Sequence, residues 1–211
     1  MNKSSLVTIN PELEREWHPT KNGDLRLDIV TCGSEQKVWW RCKLDHEWEA
    51  SIYNRSRLGR GCPICSNKLI LKGYNDLDTI NPELAKEWHP TLNGNITPDM
   101  IFPNTNKKYW WLGRCGHEWE SVVNSRNSGI GCPYCSNKKV LAGFNDLGTT
   151  DPELAKEWHP TLNGKMKVSD VVAGSEKIVW WHCHNCGLEW KQSIYNRTRR
   201  KGYPHCDTKK L

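Results

Sequence analysis

No segment of this chain approaches the roughly 18 consecutive apolar residues that a membrane helix needs. Residues 1–12 also lack the apolar run of a signal peptide. Neither a membrane-spanning nor an exported protein is expected, and the chain reads as soluble and cytoplasmic. Apolar residues are scarce as well: they make up 36% of 211 residues, and the mean hydropathy is −0.76. So polar a chain cannot build one large core, and small units of this kind usually need a metal or disulfides to stay folded.

Against that background, 12 tryptophans and 10 cysteines stand out. In a reducing compartment, closely spaced cysteines point to metal or redox sites rather than structural disulfides. The tryptophans are periodic. Four fall in each third of the chain: Trp17, Trp39, Trp40 and Trp48; Trp88, Trp110, Trp111 and Trp119; Trp158, Trp180, Trp181 and Trp190. The segments 82–94 and 152–164 are both PELAKEWHPTLNG, and 11–23 is the close variant PELEREWHPTKNG. Such self-similarity identifies three copies of one module, with expected boundaries 1–72, 73–142 and 143–211.

Each copy predicts the same small α+β unit. Asn10, Asn81 and Asp151 suit a helix N-cap and are followed by Pro11, Pro82 and Pro152 at the first helical position. Pro19, Pro90 and Pro160 are expected to stop that helix about two turns later. Two strands follow, at 38–42 and 47–53, 109–112 and 118–123, and 178–183 and 189–195, joined by a tight turn. A polar loop then leads to a second cysteine pair. Connectors at 69–77 and 140–147 contain Gly and Asn-Asp and read as ordered joints.

The turns carry the ligand candidates. Copy 1 offers Cys42 and His46, then Cys62 and Cys65; copy 2 offers Cys115 and His117, then Cys132 and Cys135. Two close pairs on turns supply the four N/S donors of tetrahedral zinc. The first pair of copy 2 is two residues shorter, which predicts a differently built turn. Copy 3 has Cys183 and Cys186, with Leu188 where the other copies have histidine. Tyr203 replaces one cysteine of its second pair and leaves Cys206. The fourth donor there stays open between His205, His184, Asp207 and water, so two zinc sites are expected and a third is possible. Cys32 aligns with Ala173 and reads as a buried or free thiol. A thioredoxin-type redox site would place Cys-x-x-Cys at a helix start within a βαβ unit, and this pattern does not.

The run NPELAKEWHPTLNG, the Trp-Trp strand, the His-Glu-Trp turn, GCPxCSNK and G-F/Y-N-D-L together resemble the treble-clef zinc-finger family of "probable zinc-ribbon" domains. The resemblance covers nearly the whole chain three times. It implies a treble-clef fold: a zinc knuckle in a β-hairpin, with the second pair at the start of a short helix. It also implies nucleic-acid association, because such modules accompany endonuclease-like domains in longer proteins.

Net charge is +3, 0 and +3 in the three copies, and three thiolates around each divalent ion would lower the total by about one per site. The segment after the second strand carries Arg55, Arg57 and Arg60 in copy 1, and Arg197, Arg199, Arg200 and Lys201 in copy 3. Copy 2 has only Arg126. These cations are candidates for phosphate contact. His18, His89 and His159 recur in Trp-His-Pro, and repetition suits a structural role better than a catalytic one. No acidic/His cluster remains for an enzyme once zinc ligands are assigned. Two functions follow from the residues: a non-catalytic nucleic-acid binder, DNA before RNA, or a module that binds or inhibits another protein.

Overall fold

The computed structural model describes residues 5–199. Two compact units divide it: Met1–Trp88 with Asn93–Lys107, and His89–Leu92 with Lys108–Leu211. The first contains copy 1 and the opening helices of copy 2; the second contains the hairpin and knuckle of copy 2 and all of copy 3 that is described.

Each copy opens with two short helical turns rather than one two-turn helix. In copy 1 these are α1 (Leu6–Ile9) and a 3-10 turn over Pro11–Glu16. A hairpin of β1 (Lys37–Arg41) and β2 (Glu47–Ser51) follows, then α2 (Ile52–Ser56). Copy 2 repeats this as α3 (Leu77–Ile80), α4 (Pro82–Ala85), β3 (Lys108–Leu112), β4 (Glu118–Val122) and α5 (Val123–Asn127). Copy 3 has α6 (Leu147–Thr150), α7 (Pro152–Ala155), β5 (Ile178–His182), β6 (Glu189–Ser193) and α8 (Ile194–Arg199).

The expected caps form in two copies: Asn81 Oδ1 and Asp151 Oδ1 each accept an N–H, from Leu84 and Leu154, at 3.1 Å. Asn10 makes no such cap; its amide donates to the Ser56 carbonyl instead. The helices stop short of the prolines, and the tryptophan of Trp-His-Pro leaves copy 1's helical turn in extended form, with Trp17 at φ −66° and ψ 124°. Trp17 and Trp158 form isolated antiparallel bridges with Trp40 and Trp181. The Asn22 side chain then behaves like a third strand. Its oxygen accepts the Trp39 N–H at 2.7 Å and its nitrogen donates to the Trp39 carbonyl at 2.9 Å. Asn163 does the same for Trp180, which explains why asparagine recurs there.

All three hairpins are antiparallel, with Trp40 opposite Trp48, Trp111 opposite Trp119, and Trp181 opposite Trp190. Period-2 alternation puts the two tryptophans of each pair on opposite faces. Trp40, Trp111 and Trp181 are fully buried. Each donates its indole N–H to a carbonyl across the hairpin at 3.1 Å, to Ala50, Ser121 and Gln192, so these three buried indoles are all paired. The outward Trp39 and Trp180 lie under Lys21 and Lys191, 4.4 and 4.9 Å from the ring centroids. Cys32 is buried in the first core.

Candidate metal centres

The hairpin turn and the loop after the short helix bring each predicted quartet together. The donor atoms of Cys42, His46, Cys62 and Cys65 lie within 4.8 Å of one another, as do those of Cys115, His117, Cys132 and Cys135. The separations test the fit to zinc. A tetrahedron with the usual zinc bond lengths has S···S edges of about 3.75 Å and N···S edges of about 3.55 Å. Cys42 Sγ and Cys65 Sγ are 3.7 Å apart. His46 Nδ1 is 3.2 Å from Cys65 Sγ and 3.7 Å from Cys62 Sγ. In copy 2, His117 Nδ1 is 3.5 Å from both Cys132 Sγ and Cys135 Sγ. The donor sets therefore fit a zinc-sized cation, and the sulfurs stand too far apart for the roughly 2.05 Å bond of a disulfide.

Electrostatics point the same way. Burial raises the Cys42 thiol, but the N–H groups of Leu44 and His46 and the neighbouring thiols of Cys65 and Cys62 hold it below its ordinary value. Burial, with the hydrogen bonds and charge of Cys62 and Cys42, pushes Cys65 up to about 12. Copy 2 repeats the split. Burial of Cys115 is outweighed by the His117 N–H and by Cys135 and Cys132, while burial and the same neighbours push Cys135 up to about 11. Thiols packed this closely cannot all ionise unless a cation lies among them.

The expectation of a differently built turn in copy 2 is corrected. Cys42 N–H donates to the His46 carbonyl at 3.0 Å, and Gly113 N–H donates to the His117 carbonyl at the same distance. Asp45 and Gly116, each just before the histidine, both have positive φ, 60° and 77°. The turns are equivalent: His117 stands where His46 does, Gly113 where Cys42 does, and Cys115 where Leu44 does. The thiol has moved two places along an unchanged knuckle. Gly113 makes room for it, since a Cβ there would lie 2.8 Å from the Trp119 ring and 3.2 Å from Cys115 Sγ. Sequence alone carried the signal, because Trp40–Trp48 and Trp111–Trp119 have the same spacing.

Copy 3 keeps part of the pattern. Cys183 N–H donates to the Leu188 carbonyl at 2.9 Å, which puts leucine in the histidine position. The imidazole of His184 is hydrogen-bonded to the Lys156 carbonyl. His205, Cys206 and Asp207 lie outside the described residues, as do Arg200 and Lys201.

The second pair sits on a single turn closed by a left-handed asparagine rather than at the start of an α-helix. Ser66 N–H and Ser136 N–H donate to the Cys62 and Cys132 carbonyls at 3.1 Å, and Asn67 and Asn137 have φ of 51° and 55°. The G-F/Y-N-D-L connector is built onto this turn. Tyr74 and Phe144 pack edge-on against the imidazole rings of His46 and His117, with centroids 4.2 and 4.3 Å away. Asn75 accepts the Leu71 N–H at 2.8 Å and donates to the carbonyls of Ile64 and Leu69. The next residue, Asp76, caps α3 through the Thr79 N–H at 2.9 Å, and Leu77 is buried. Asn145, Asp146 and Leu147 repeat every part of this arrangement.

The three histidines of Trp-His-Pro are buried, and in copies 1 and 3 both ring nitrogens are hydrogen-bonded, whereas His89 Nε2 faces Glu118 at 3.2 Å without a hydrogen bond. His18 Nδ1 accepts the N–H groups of Thr20 and Lys21, and its Nε2 faces Glu47 at 2.8 Å. His159 is held in the same way by Thr161, Leu162 and Glu189. Hydrogen bonds from Lys21 and then His18 pull the Glu47 carboxyl down to about 2.

Of the predicted cations, two are committed elsewhere. The segment after the second strand is a short helix, not a loop, and it turns Arg55 inward onto Glu16 in a two-pronged pair at 2.8 and 2.7 Å. Arg197, its side chain 8% exposed, pairs with Glu157, its Nε and Nη2 both donating to Oε2. Arg126 holds the same repeat position. It is buried with its guanidinium over Trp111 and Trp119. Arg57, Arg60 and Arg199 are exposed, and Arg199 lies over the Tyr195 ring at 4.5 Å.

Tandem small α+β modules, two of them with a Cys3His quartet of zinc dimensions, define a zinc-finger repeat protein. The chain belongs to the family described as "Probable Treble clef zinc finger domain", whose model matches residues 13–68, 84–138 and 154–209. It is 31% identical over 110 residues to a protein of Escherichia phage T5 named "Putative endonuclease", covering 51% of this chain and 35% of that protein. A second relative, "Vacuolar protein sorting/targeting protein 10" of Schizosaccharomyces japonicus, is 27% identical over 149 residues, 60% of this chain and 10% of that protein. The chain thus spans about a third of the first relative and a tenth of the second. No helix among the described residues is long and apolar enough to cross a membrane.

Proposed function

We propose that this chain is a non-catalytic zinc-binding repeat protein that binds nucleic acid, DNA ahead of RNA, through cations of copies 1 and 3. Its quartets hold Zn2+ as a structural ion, which supplies folding free energy rather than reaction chemistry. Residues 1–72, 73–142 and 143–211 are its working units, in a reducing intracellular compartment where paired thiols serve metals.

One observation carries the reading. After Arg55 and Arg197 are taken into ion pairs, Arg57, Arg60 and Arg199 remain exposed, while copy 2 has its one cation of this segment buried. The nuclease name of the phage relative supports a nucleic-acid partner. The non-catalytic part is supported in copies 1 and 3 by the ring nitrogens of His18 and His159, which are all occupied by hydrogen bonds; in copy 2 only Nδ1 of His89 is so occupied.

Anisotropy titrations with labelled duplex and single-stranded oligonucleotides across salt test the proposal. Affinity should fall linearly in log–log form as salt rises. A flat response, or no binding to either, rejects it. Exposed Leu58 and Ile130 on matching turns favour the second reading, a protein-interaction module, and that reading takes over in this outcome.

A further inference from the structure

The loop after α2 is shaped by one residue. Gly59 has φ +61, a conformation that costs glycine little and other residues much. The chain therefore returns on itself, and the Arg60 N–H donates to the Asn54 carbonyl at 3.0 Å. Arg60 is fixed beside Asn54 as a result. Lys68 approaches from the knuckle, where its own N–H closes the turn on the Pro63 carbonyl at 2.7 Å.

Between these elements lies an open groove of about 310 Å³, lined among others by Trp48, Glu49, Asn54, Arg60, Gly61 and Lys68. Among the described residues neither Arg60 nor Lys68 has a carboxylate partner, in contrast to Arg55 on Glu16. Two cations facing one concavity repel each other unless an anion lies between them. Guanidinium and ammonium groups with a carboxamide nearby match phosphate oxygens in charge and in hydrogen bonding. Glu49 lines the same groove and offsets one of the two positive charges, leaving a net charge of +1 on the lining. The groove opens to solvent, so a phosphate can enter it from outside.

We infer that this groove is a phosphodiester subsite of copy 1, in which Arg60 and Lys68 hold one backbone phosphate and the Asn54 amide adds a hydrogen bond. The inference rests on the nucleic-acid reading above and adds Lys68 and Asn54 to it. Copy 2 shows the same frame without the guanidinium. Gly129 has φ +91, Ile130 N–H donates to the Ser125 carbonyl at 3.1 Å, and Lys138 N–H closes on Pro133 at 2.8 Å. Ile130 occupies the place of Arg60 and is 48% exposed.

The test uses the full chain, zinc-loaded, with labelled oligonucleotides. Arg60→Gln and Lys68→Gln should each weaken binding by about three- to tenfold near physiological salt and lower the log–log salt slope by about one. Ile130→Arg should do the reverse, tightening binding and raising the slope by about one. Zinc content must stay at the wild-type level in each variant. If the wild type binds with a steep slope and these three variants match it, the groove is wrong and the broader reading stands. In parallel, inorganic phosphate is titrated while the amide signals of Arg60 and Gly61 are followed by NMR. Saturable shifts lost in Arg60→Gln support the anion site even where no nucleic acid binds; no shifts and no binding reject both.

Discussion

Asn75 and Asp76 are adjacent in the chain but differ in what they hold: Asn75 closes the cysteine-bearing turn of copy 1, and Asp76 caps the first helix of copy 2 while its other oxygen accepts the Gly73 N–H of the connector. The handover occupies a single peptide bond, with Tyr74 against the imidazole ring of His46 on one side and buried Leu77 on the other. A joint of this kind transmits order, since the knuckle fixes the start of the next copy. Two neighbouring substitutions should then fail differently. Asn75→Ala leaves knuckle carbonyls without their donor and should lower stability by about 1–3 kcal/mol, with faster zinc loss to a chelator. Asp76→Ala should lower stability by about 1 kcal/mol, leave zinc release unchanged, and speed hydrogen exchange at Thr79. Identical behaviour of the two variants would contradict the division.

In copy 2 a thiol at the Leu44 position joins the donor quartet, as one at the Cys42 position does in copy 1. Moving the ligand in copy 1, by Cys42→Gly with Leu44→Cys, should therefore retain zinc stoichiometry, whereas Cys42→Gly alone should lose affinity at that site. Gly113→Ala should destabilise copy 2, because its methyl meets the Trp119 ring at 2.8 Å. Overpacking of this kind typically costs about 1–3 kcal/mol. Melting temperature together with elemental analysis reads out both variants.

Arginines two residues apart in sequence should separate cleanly. Arg55 sits 15% exposed in its pair with Glu16. Arg55→Ala strands a partly buried carboxylate and should cost about 1–3 kcal/mol. Arg57→Ala should leave the melting temperature in place and weaken nucleic-acid binding instead. A double-mutant cycle with Glu16→Gln should show coupling for Arg55 and none for Arg57.

Zinc loading should release protons. At neutral pH the Cys65 and Cys135 thiols, raised to about 12 and 11, retain theirs in the metal-free sites, and metal displaces them. A weakly buffered titration with a pH indicator should give about two to three protons per site. The sign follows: affinity falls as pH falls, so chelators should strip the protein faster at pH 6 than at pH 8. Release independent of pH would exclude thiolate ligation.

Purified protein should contain between two and three zinc ions per chain, from the two described quartets and a possible third. Cys62→Ser and Cys132→Ser should each cost far more thermal stability than Cys206→Ser, because copy 3 has leucine in its histidine position. Equal losses at the three positions would show that copy 3 depends on metal as much as the others.

Repetition made most of this legible in one dimension. The tryptophan period recurs in all three copies, and the paired Cys/His donors and Asn-Pro helix starts are complete in the first two, with Asp151 standing for asparagine in the third. These local signals were enough to specify a zinc-finger repeat of small α+β modules and the composition of both quartets. Folding alone decided which cations stay free. Glu16 and Arg55 lie far apart in the chain, and only a short helix after β2 aims one at the other; a pattern of like charges contains no trace of that pairing. Folding also decided how the copies join. Asn75 and Asp76 look like one polar turn until their hydrogen bonds are followed: those of Asn75 all run back to the knuckle, and those of Asp76 join Gly73 of the connector to Thr79 of the next helix. The physical reason is common to both cases. Burial and hydrogen-bond direction depend on what the chain brings close from elsewhere, and a local motif records the donor without recording its acceptor.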